Sequence, residues 1–158
     1  MKYSDANYPL FFEQMIEGYK PIEQVVRKEG HELLAAWNNS KIKGRILLLE
    51  RPDYRGTGFT NGAQVKKHFA AFSIAEKCDV KDNSKVDLLH AEFDKDIDQV
   101  LAHILENSGM ADSFFRTVED NIEVMPTLPL NNLTFTAKRC EFYFYTPANF
   151  YKDPTKWH

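Results

Sequence analysis

The pattern of apolar and polar positions along the chain predicts three helices and four strands. The clearest helix runs over 84–107, where apolar residues recur every three or four positions. Ser84 is expected to cap its start, and Gly109 lies where its C-terminal cap is expected. The apolar positions of this helix are Val86, Leu89, Phe93, Ile97, Val100, Leu101 and Ile104.

Two shorter helices are predicted closer to the N-terminus. Residues 8–19 carry apolar side chains on one helical face and have a proline in the first turn. Residues 21–37 begin with a proline and continue near helical spacing, with a bend or break expected at Gly30. Together these segments predict an N-terminal helical part over 1–40.

Two strands separated by a loop are predicted before the long helix. Residues 41–50 contain the unbroken apolar run 46–49, which is typical of an interior strand. Residues 51–62 are rich in glycine and are expected to form a loop or the tip of an extended hairpin. Residues 68–79 form the second strand, with Phe69, Phe72, Ile74 and Cys78 as its apolar positions.

Two further strands are predicted after the long helix. Residues 113–125 are expected to be interrupted at Pro126, with Phe115, Val118, Ile122 and Val124 in the core. Residues 133–146 alternate between two faces of a sheet. One face carries Cys140, Phe142 and Phe144, and the other carries Arg139, Glu141, Tyr143 and Tyr145.

This order of elements predicts an α+β fold. Two strands before the long helix and two after it favour a mostly antiparallel sheet of about four strands, with one long helix packed on it. The chain has 158 residues, enough for one hydrophobic core. We therefore predict a single domain over 1–158, with the sheet and long helix in 41–146 and an aromatic tail in 147–158.

Composition narrows the class of protein. The chain is 43% hydrophobic, 13% aromatic and 27% charged, which is typical of a soluble globular domain and argues against disorder. No uncharged apolar run is long enough to span a bilayer, so no membrane partner is expected, and no secretory leader is readable. Cys78 and Cys140 are expected to be reduced core thiols.

Charge is distributed unevenly, although the formal net charge is only −3. Residues 41–68 carry seven basic and two acidic side chains, whereas residues 84–107 carry two basic and six acidic ones. Such segregation suits self-association, in which the basic surface of one subunit meets the acidic surface of the next. Two ordinary solvated surfaces are the alternative interpretation.

One candidate for chemistry lies on the long helix. Asp87, His90 and Asp94 are three and four residues apart and therefore share a helix face. An imidazole with carboxylates can bind a divalent metal, or act as a base that a carboxylate orients. The sequence offers no obvious set of further ligands, so a solvated helix face is favoured. The alternative is a small cytosolic ligand-binding protein or enzyme, whose site would combine these residues with residues from the glycine-rich loop.

The glycine-rich loop combines basic and aromatic side chains. Arg51, Tyr54, Arg55 and Phe59 are the candidates for an intersubunit or DNA-facing loop. The Arg-Gly-Thr-Gly segment starting at Arg55 could approach a phosphate, but no complete nucleotide-binding motif surrounds it. A nucleic-acid-binding accessory protein is a further alternative, against which a sequence pI near 6.0 counts.

The last strand and the tail are unusually aromatic. Tyr143, Tyr145 and Trp157 are the candidates for a protein contact surface, because tyrosine and tryptophan are enriched at interfaces. The alternative is that the tail shields the second face of the strand within one subunit.

Three segments of the chain together resemble the small head–tail connector proteins of tailed bacteriophages, especially tail-terminator and tail-completion proteins. They are the basic strand and loop over 41–62, the helix over 84–107 and the closing run 136–144. The resemblance is one of organisation and carries over no functional residue, because no specific motif supports it.

Members of this family are compact α+β subunits that form rings at the virion neck. The resemblance implies a non-enzymatic structural protein of the virion, assembled in the host cytoplasm and lacking a cofactor. The implied partners are further copies of the chain in a ring and the neighbouring portal, neck or tail-tube proteins. The basic loop would be the candidate for contact with DNA.

Overall fold

The computed structural model describes residues 2–27, 44–60, 63–79, 81–110, 113–127 and 135–148. These ranges contain two helices and one mixed sheet of seven strands. The predicted α+β class is therefore confirmed, but the predicted number of about four strands was too low. The helices are α1 (Asn7–Glu17) and α2 (Asn83–Glu106). The strands are β1 (Gln24–Arg27), β2 (Ile46–Leu49), β3 (Asp53–Thr60), β4 (Ala63–Lys77), β5 (Thr117–Val118), β6 (Glu123–Thr127) and β7 (Phe135–Pro147).

The two longest strands, β4 and β7, form the centre of the sheet. They pair antiparallel, and β2 and β3 pair with the two ends of β4 on its other edge. The short strands β5 and β6 pair with the far edge of β7. Within the described ranges only β1 and β2 pair in parallel, so the sheet is mostly antiparallel, as predicted.

The second predicted helix is wrong over the residues that can be checked. Residues 24–27 form strand β1, and Val25 pairs with Leu47 of β2. A short apolar run with two adjacent valines fits a strand as well as a helix, and β-branched residues favour the strand. Residues 28–37 of that predicted helix lie outside the described part of the chain.

Of the two forms predicted for residues 51–62, the extended hairpin agrees with the structure better than the loop, because most of the segment is a strand. β3 forms a hairpin with β4, and its register shifts between Tyr54 and Gly56, which marks a bulge. Gly56 has φ +137°, a conformation that glycine adopts without the steric cost of a side chain. The β3–β4 hairpin is therefore built into the sheet, and the glycine permits its bulge.

The long helix occurs where it was predicted, but its ends differ in detail. Asp82, rather than Ser84, caps the start, because its side chain accepts a hydrogen bond from the backbone of Lys85 at 3.2 Å. Asn107 ends the helix, and Gly109 follows with φ +90°. Gly109 thus serves the turn that leads towards β5 rather than the helix cap itself.

Both helices lie on one face of the sheet and cover an aromatic core. Phe93 of α2 and Phe12 of α1 are fully buried, as are Phe72 of β4 and Phe142 of β7. The predicted alternation of β7 is confirmed, since Cys140, Phe142 and Phe144 are fully buried on this face. Stacked and edge-on rings of this size contribute strongly to stability.

The predicted strand over 113–125 is two short strands with different environments. Phe115 and Val118 are buried, as expected, and Ile122 packs against the core. Val124 was expected in the core but is 43% exposed, because it lies on the edge strand β6. Pro126 does not interrupt this segment, since an edge strand tolerates a missing backbone donor.

The opposite face of the sheet carries a second, smaller apolar cluster. It contains Ile46 and Leu48 of β2, whereas Leu47 and Leu49 belong to the main core. Burial of alternate side chains on both faces accounts for the unbroken apolar run of this strand. The other buried members of the second cluster are Ala75, Phe135 and Ala137.

Candidate functional site

The β3–β4 hairpin carries three of the four residues predicted for an intersubunit or DNA-facing loop. Tyr54 pairs with His68, and Phe59 pairs with Gln64, so both side chains lie on the helix side of the sheet. Tyr54 is 57% exposed and Phe59 is 75% exposed. Two large aromatic side chains on one exposed hairpin form an apolar surface that is available for contact.

The two arginines of this predicted group do not join that surface. Arg55 lies at the bulge, and its guanidinium sits 5.2 Å from the ring centre of Phe69, on the opposite face of the sheet. Arg51 precedes β3 and lies 3.5 Å from the carboxylate of Asp5. The structure therefore separates the four predicted residues into an aromatic pair and two arginines at different places.

Three aromatic residues form a strip on the face opposite the helices. This aromatic strip consists of Phe69, Tyr143 and Tyr145, and the ring centres of Phe69 and Tyr143 are 5.3 Å apart. The ammonium group of Lys67 lies 4.3 Å from the ring centre of Tyr143 and 5.7 Å from that of Tyr145. Tyr143 and Tyr145 thus share one surface, as predicted, whereas Trp157 lies outside the described residues.

A hydrogen-bonded charge pair holds the end of this strip. Lys67 donates to Glu119 across 2.6 Å, and the Tyr145 hydroxyl donates to the same carboxylate. These bonds lower the pKa of the Glu119 carboxyl and raise the pKa values of Lys67 and Tyr145. Around neutral pH the carboxylate and the ammonium group are both charged, so the ion pair persists.

The face that bears the aromatic strip is not basic. Arg139 makes a two-pronged ion pair with Glu50, at 2.9 and 3.0 Å, and also contacts Glu141. Lys67 is paired with Glu119, as described above. Because carboxylates accompany these cations, the described residues of the strip attract a phosphate backbone only weakly, and the strip suits a protein partner better.

Part of the segregated charge is neutralised within the subunit. Arg45, from the basic segment, is held by Glu92 and Asp96 of the acidic segment. Lys138 likewise pairs with Asp94 at 2.6 Å. The charge pattern therefore serves packing of α2 on the sheet, and fewer charges remain for contact between subunits than the sequence indicated.

The predicted cluster of Asp87, His90 and Asp94 is not assembled as a site. His90 is hydrogen-bonded through Nε2 to the hydroxyl of Thr136 at 2.6 Å, and burial lowers the pKa of His90. Asp94 is paired with Lys138, and Asp87 is exposed. His90 and Asp94 thus both bind residues of β7. The three side chains therefore do not converge on one point where a metal ion or other ligand could bind.

Both cysteines are free and buried, as predicted. Burial raises the pKa of the Cys140 thiol to about 12, and burial also raises the pKa of Cys78. The two sulfur atoms are therefore protonated near neutral pH and packed in the interior, which is typical of structural cysteines.

A cavity of about 550 Å³ lies beside His68 and was not predicted from the sequence. His68 is only 7% exposed, stacks on Phe144 with ring centres 4.9 Å apart, and bonds through Nε2 to Thr146 at 2.9 Å. Burial lowers the pKa of His68. The only signal in the sequence is a histidine in an apolar strand, because the cavity walls come from distant segments.

Comparisons with known proteins do not assign this geometry. The sequence matches no protein-family model and no curated protein. Neither described helix is both long and apolar enough to cross a bilayer. Among the described side chains, no group of three or more His, Cys, Asp or Glu is arranged to hold a metal ion.

Proposed function

We propose that the chain is a structural subunit that works by contact with further copies of itself and with neighbouring proteins. The observation that carries this proposal is Phe59, whose ring is 75% exposed on the β3–β4 hairpin. A large aromatic side chain gains much from burial against a partner and costs little conformational entropy to fix. The type of subunit is the phage-like connector or tail terminator that the chain resembles in organisation.

The partner in this contact is a second copy of the same chain. A ring requires two different surfaces on each subunit, because every copy contacts the next in the same direction. The hairpin lies at one edge of the sheet, and β6 lies at the opposite edge, where it exposes Val124 and Met125. Contact between the hairpin of one copy and β6 of the next would propagate around a ring.

Side chains, rather than backbone pairing, would make this contact. Pro126 lacks a backbone donor in β6, and the bulge at Gly56 bends β3. Both features discourage a strand from pairing with a strand of another subunit. Phe59 and Tyr54 on one copy and Met125 on the next would supply apolar contact, so salt should weaken the assembly only slightly.

Light scattering over a concentration series tests the proposal. We expect the wild-type protein to form oligomers at both low and high salt, and Phe59→Ser to shift it to monomers. Leu88→Ser is the matched control, since Leu88 is 62% exposed on α2, away from the hairpin. Monomers at every concentration, or equal loss of assembly in both variants, would overturn the self-contact proposal.

Electron microscopy of the oligomer tests the connector type separately. Closed rings with an open centre would support a head–tail connector or tail terminator. Two-fold dimers or open filaments would retain self-contact and overturn the connector assignment.

DNA contact at Arg55 of the hairpin and at Arg51 before it is the second candidate, which the exposure of both side chains favours. Binding of duplex DNA that falls steeply with salt and is weakened by Arg51→Ala and Arg55→Ala would support it. Asp5 and Asp53 lie beside these arginines and reduce their attraction for phosphate. Unchanged binding in both variants would place any DNA contact elsewhere.

A further inference from the structure

The His68 cavity has the size and walls of a small-molecule site. Its volume is about 550 Å³, within the range of about 300–1,000 Å³ that is typical of ligand pockets. The N-terminal segment supplies Tyr3, the hairpin supplies Tyr54 and His68, and the turn before β5 supplies Phe114. Three separate parts of the chain therefore converge on one aromatic opening.

The aromatic walls favour a planar ligand. The ring centres of Tyr3 and His68 are 5.0 Å apart, and those of Tyr54 and His68 are 6.1 Å apart. His68 cannot turn freely, because Phe144 stacks on one side of it and Thr146 bonds to its Nε2. A flat ring inserted beside the fixed imidazole would gain stacking, and His68 would lose little conformational freedom on binding.

The charges at the cavity favour an anion. Lys2 and Lys66 line the opening, and neither forms an ion pair within the described part of the chain. Among the described lining residues the one carboxylate is that of Asp5, which accepts a hydrogen bond from Tyr3 at 3.1 Å and lies 3.5 Å from Arg51. Arg51 offsets part of the charge of Asp5, and the two lysines outnumber this carboxylate at the opening.

We infer that the His68 cavity binds a small aromatic anion, a planar ring that bears a carboxylate or a phosphate group. The ring stacks against Tyr3 and Tyr54, and the anionic group faces Lys66 and Lys2. The hydroxyl groups of Ser4 and Ser113 also line the opening and can donate to the same group. This site shares Tyr54 with the proposed self-contact but not Phe59, so Phe59→Ser changes the self-contact without changing the cavity lining.

Calorimetric titration with three naphthalene probes tests this inference. They are 2-naphthoate, 2-naphthyl phosphate and the uncharged 2-naphthamide, which share one ring system. At low ionic strength we expect each anion to bind about tenfold more tightly than the amide. Whichever anion binds more tightly identifies carboxylate or phosphate as the preferred group.

Two variants locate the binding. Lys66→Gln should weaken 2-naphthoate about tenfold and leave 2-naphthamide unchanged, because only the charge contact is removed. Tyr54→Ser should weaken all three probes, because the stacking wall is removed. Lys95→Gln is the matched control, since it removes the same charge from the exposed surface of α2. Tyr54 is exposed enough for its variant to fold even where Lys66→Gln does not.

Three results would overturn the inference. They are an absence of saturable binding by either anion, equal affinity for the anions and the amide, and equal weakening by Lys66→Gln and Lys95→Gln. Oligomer formation, measured in the same samples by light scattering, reports on the self-contact proposal separately. If the protein forms oligomers but binds no probe, the result would count against the cavity site and leave the self-contact proposal standing.

Discussion

The guanidinium of Arg45 donates a hydrogen bond of 2.6 Å to the buried carboxylate of Asp96 and so joins the start of β2 to α2. Asp96 also accepts from the hydroxyl of Tyr19 at 2.6 Å, and Arg45 binds Glu76 and Glu92. Burial opposes the charge of Arg45, but its hydrogen bonds to Glu92 and Asp96 outweigh that effect and raise its pKa. This network fixes α2 against the sheet.

Removing the cation of this network should destabilise the fold strongly. Arg45→Met leaves the carboxylate of Asp96 buried without a charged partner, which typically costs about 3–5 kcal/mol. We expect this loss in the free energy of unfolding measured with urea at neutral pH. Arg45→Met combined with Asp96→Asn should recover part of the loss, because the buried negative charge is then absent.

Arg51→Met provides the matched control for that prediction. The Arg51 side chain is 71% exposed, and its ion pair with Asp5 spans 3.5 Å. Exposed pairs typically contribute about 0–1 kcal/mol, so this variant should remain close to the wild type. Equal destabilisation by Arg45→Met and Arg51→Met would contradict the role assigned to the buried network.

Two phenylalanines on the same sheet should respond in opposite ways to truncation. Phe142 is fully buried between β7 and the helices, so Phe142→Ala should lower the free energy of unfolding by about 3–5 kcal/mol. Phe59→Ala should leave the stability of the monomer nearly unchanged, because the ring of Phe59 is 75% exposed. Urea denaturation at a concentration too low for assembly measures both.

A substantial loss of monomer stability in Phe59→Ala would show that Phe59 packs within its own subunit. It would remove the observation on which the proposed self-contact rests, whereas a loss confined to Phe142→Ala would leave that observation intact.

The two thiols should resist modification in the folded protein. Cys140 is fully buried, Cys78 is 5% exposed, and burial raises the pKa of both thiols. Because the thiolate is the reactive form, a disulfide reagent should react slowly with the native protein at pH 8 and rapidly in denaturant. Rapid reaction of either thiol in the native state would contradict its buried position.

Helices and strands whose apolar residues recur at a regular spacing could be predicted from the sequence, and those without such spacing could not. The stripe of α2 and the alternation of β7 directly reflect burial on one face, so both were located within a few residues. β3 shows no such pattern, because Asp53, Tyr54 and Arg55 are all exposed. β1 is too short for the spacing of its apolar residues to distinguish a strand from a helix.

The contacts that assemble the candidate sites were beyond sequence reasoning for a different reason. Arg45 and Asp96 are 51 positions apart. Tyr54, Tyr3 and Phe114 line one cavity only because of the sheet register and the path of the N-terminal segment. The alternation along the last strand indicated that Tyr143 and Tyr145 share a face. It did not indicate that Lys67 and Glu119 hold that face.

Stability should fall as the pH is lowered through the titration range of histidine. Burial lowers the pKa values of His68 and His90 below their ordinary value of 6.5. Asp5 opposes this shift at His68 and Lys66 adds to it, whereas Asp94 and Asp87 oppose it at His90 and Lys138 adds to it.

The sign of the effect follows from proton binding. Below about pH 6.5 the unfolded chain takes up protons at these two positions before the folded chain does, so acid favours unfolding. The stabilisation that the two neutral histidines contribute is fully present above that pH. It is lost as the pH falls towards their folded-state pKa values, and below those values the stability no longer changes on their account. Urea denaturation at steps between pH 7.5 and pH 5 measures this slope.

His68→Gln separates the effect of His68, beside the cavity, on the pH dependence of stability from the effect of His90 on α2. Glutamine retains a hydrogen-bonding group near Thr146 and does not titrate, so the slope below pH 6.5 should become shallower, and the addition of His90→Gln should reduce it further. The carboxyl of Glu119 contributes only at lower pH, because its lowered pKa lies beneath 4.5. An unchanged slope in the double variant would show that neither histidine is held neutral by the fold.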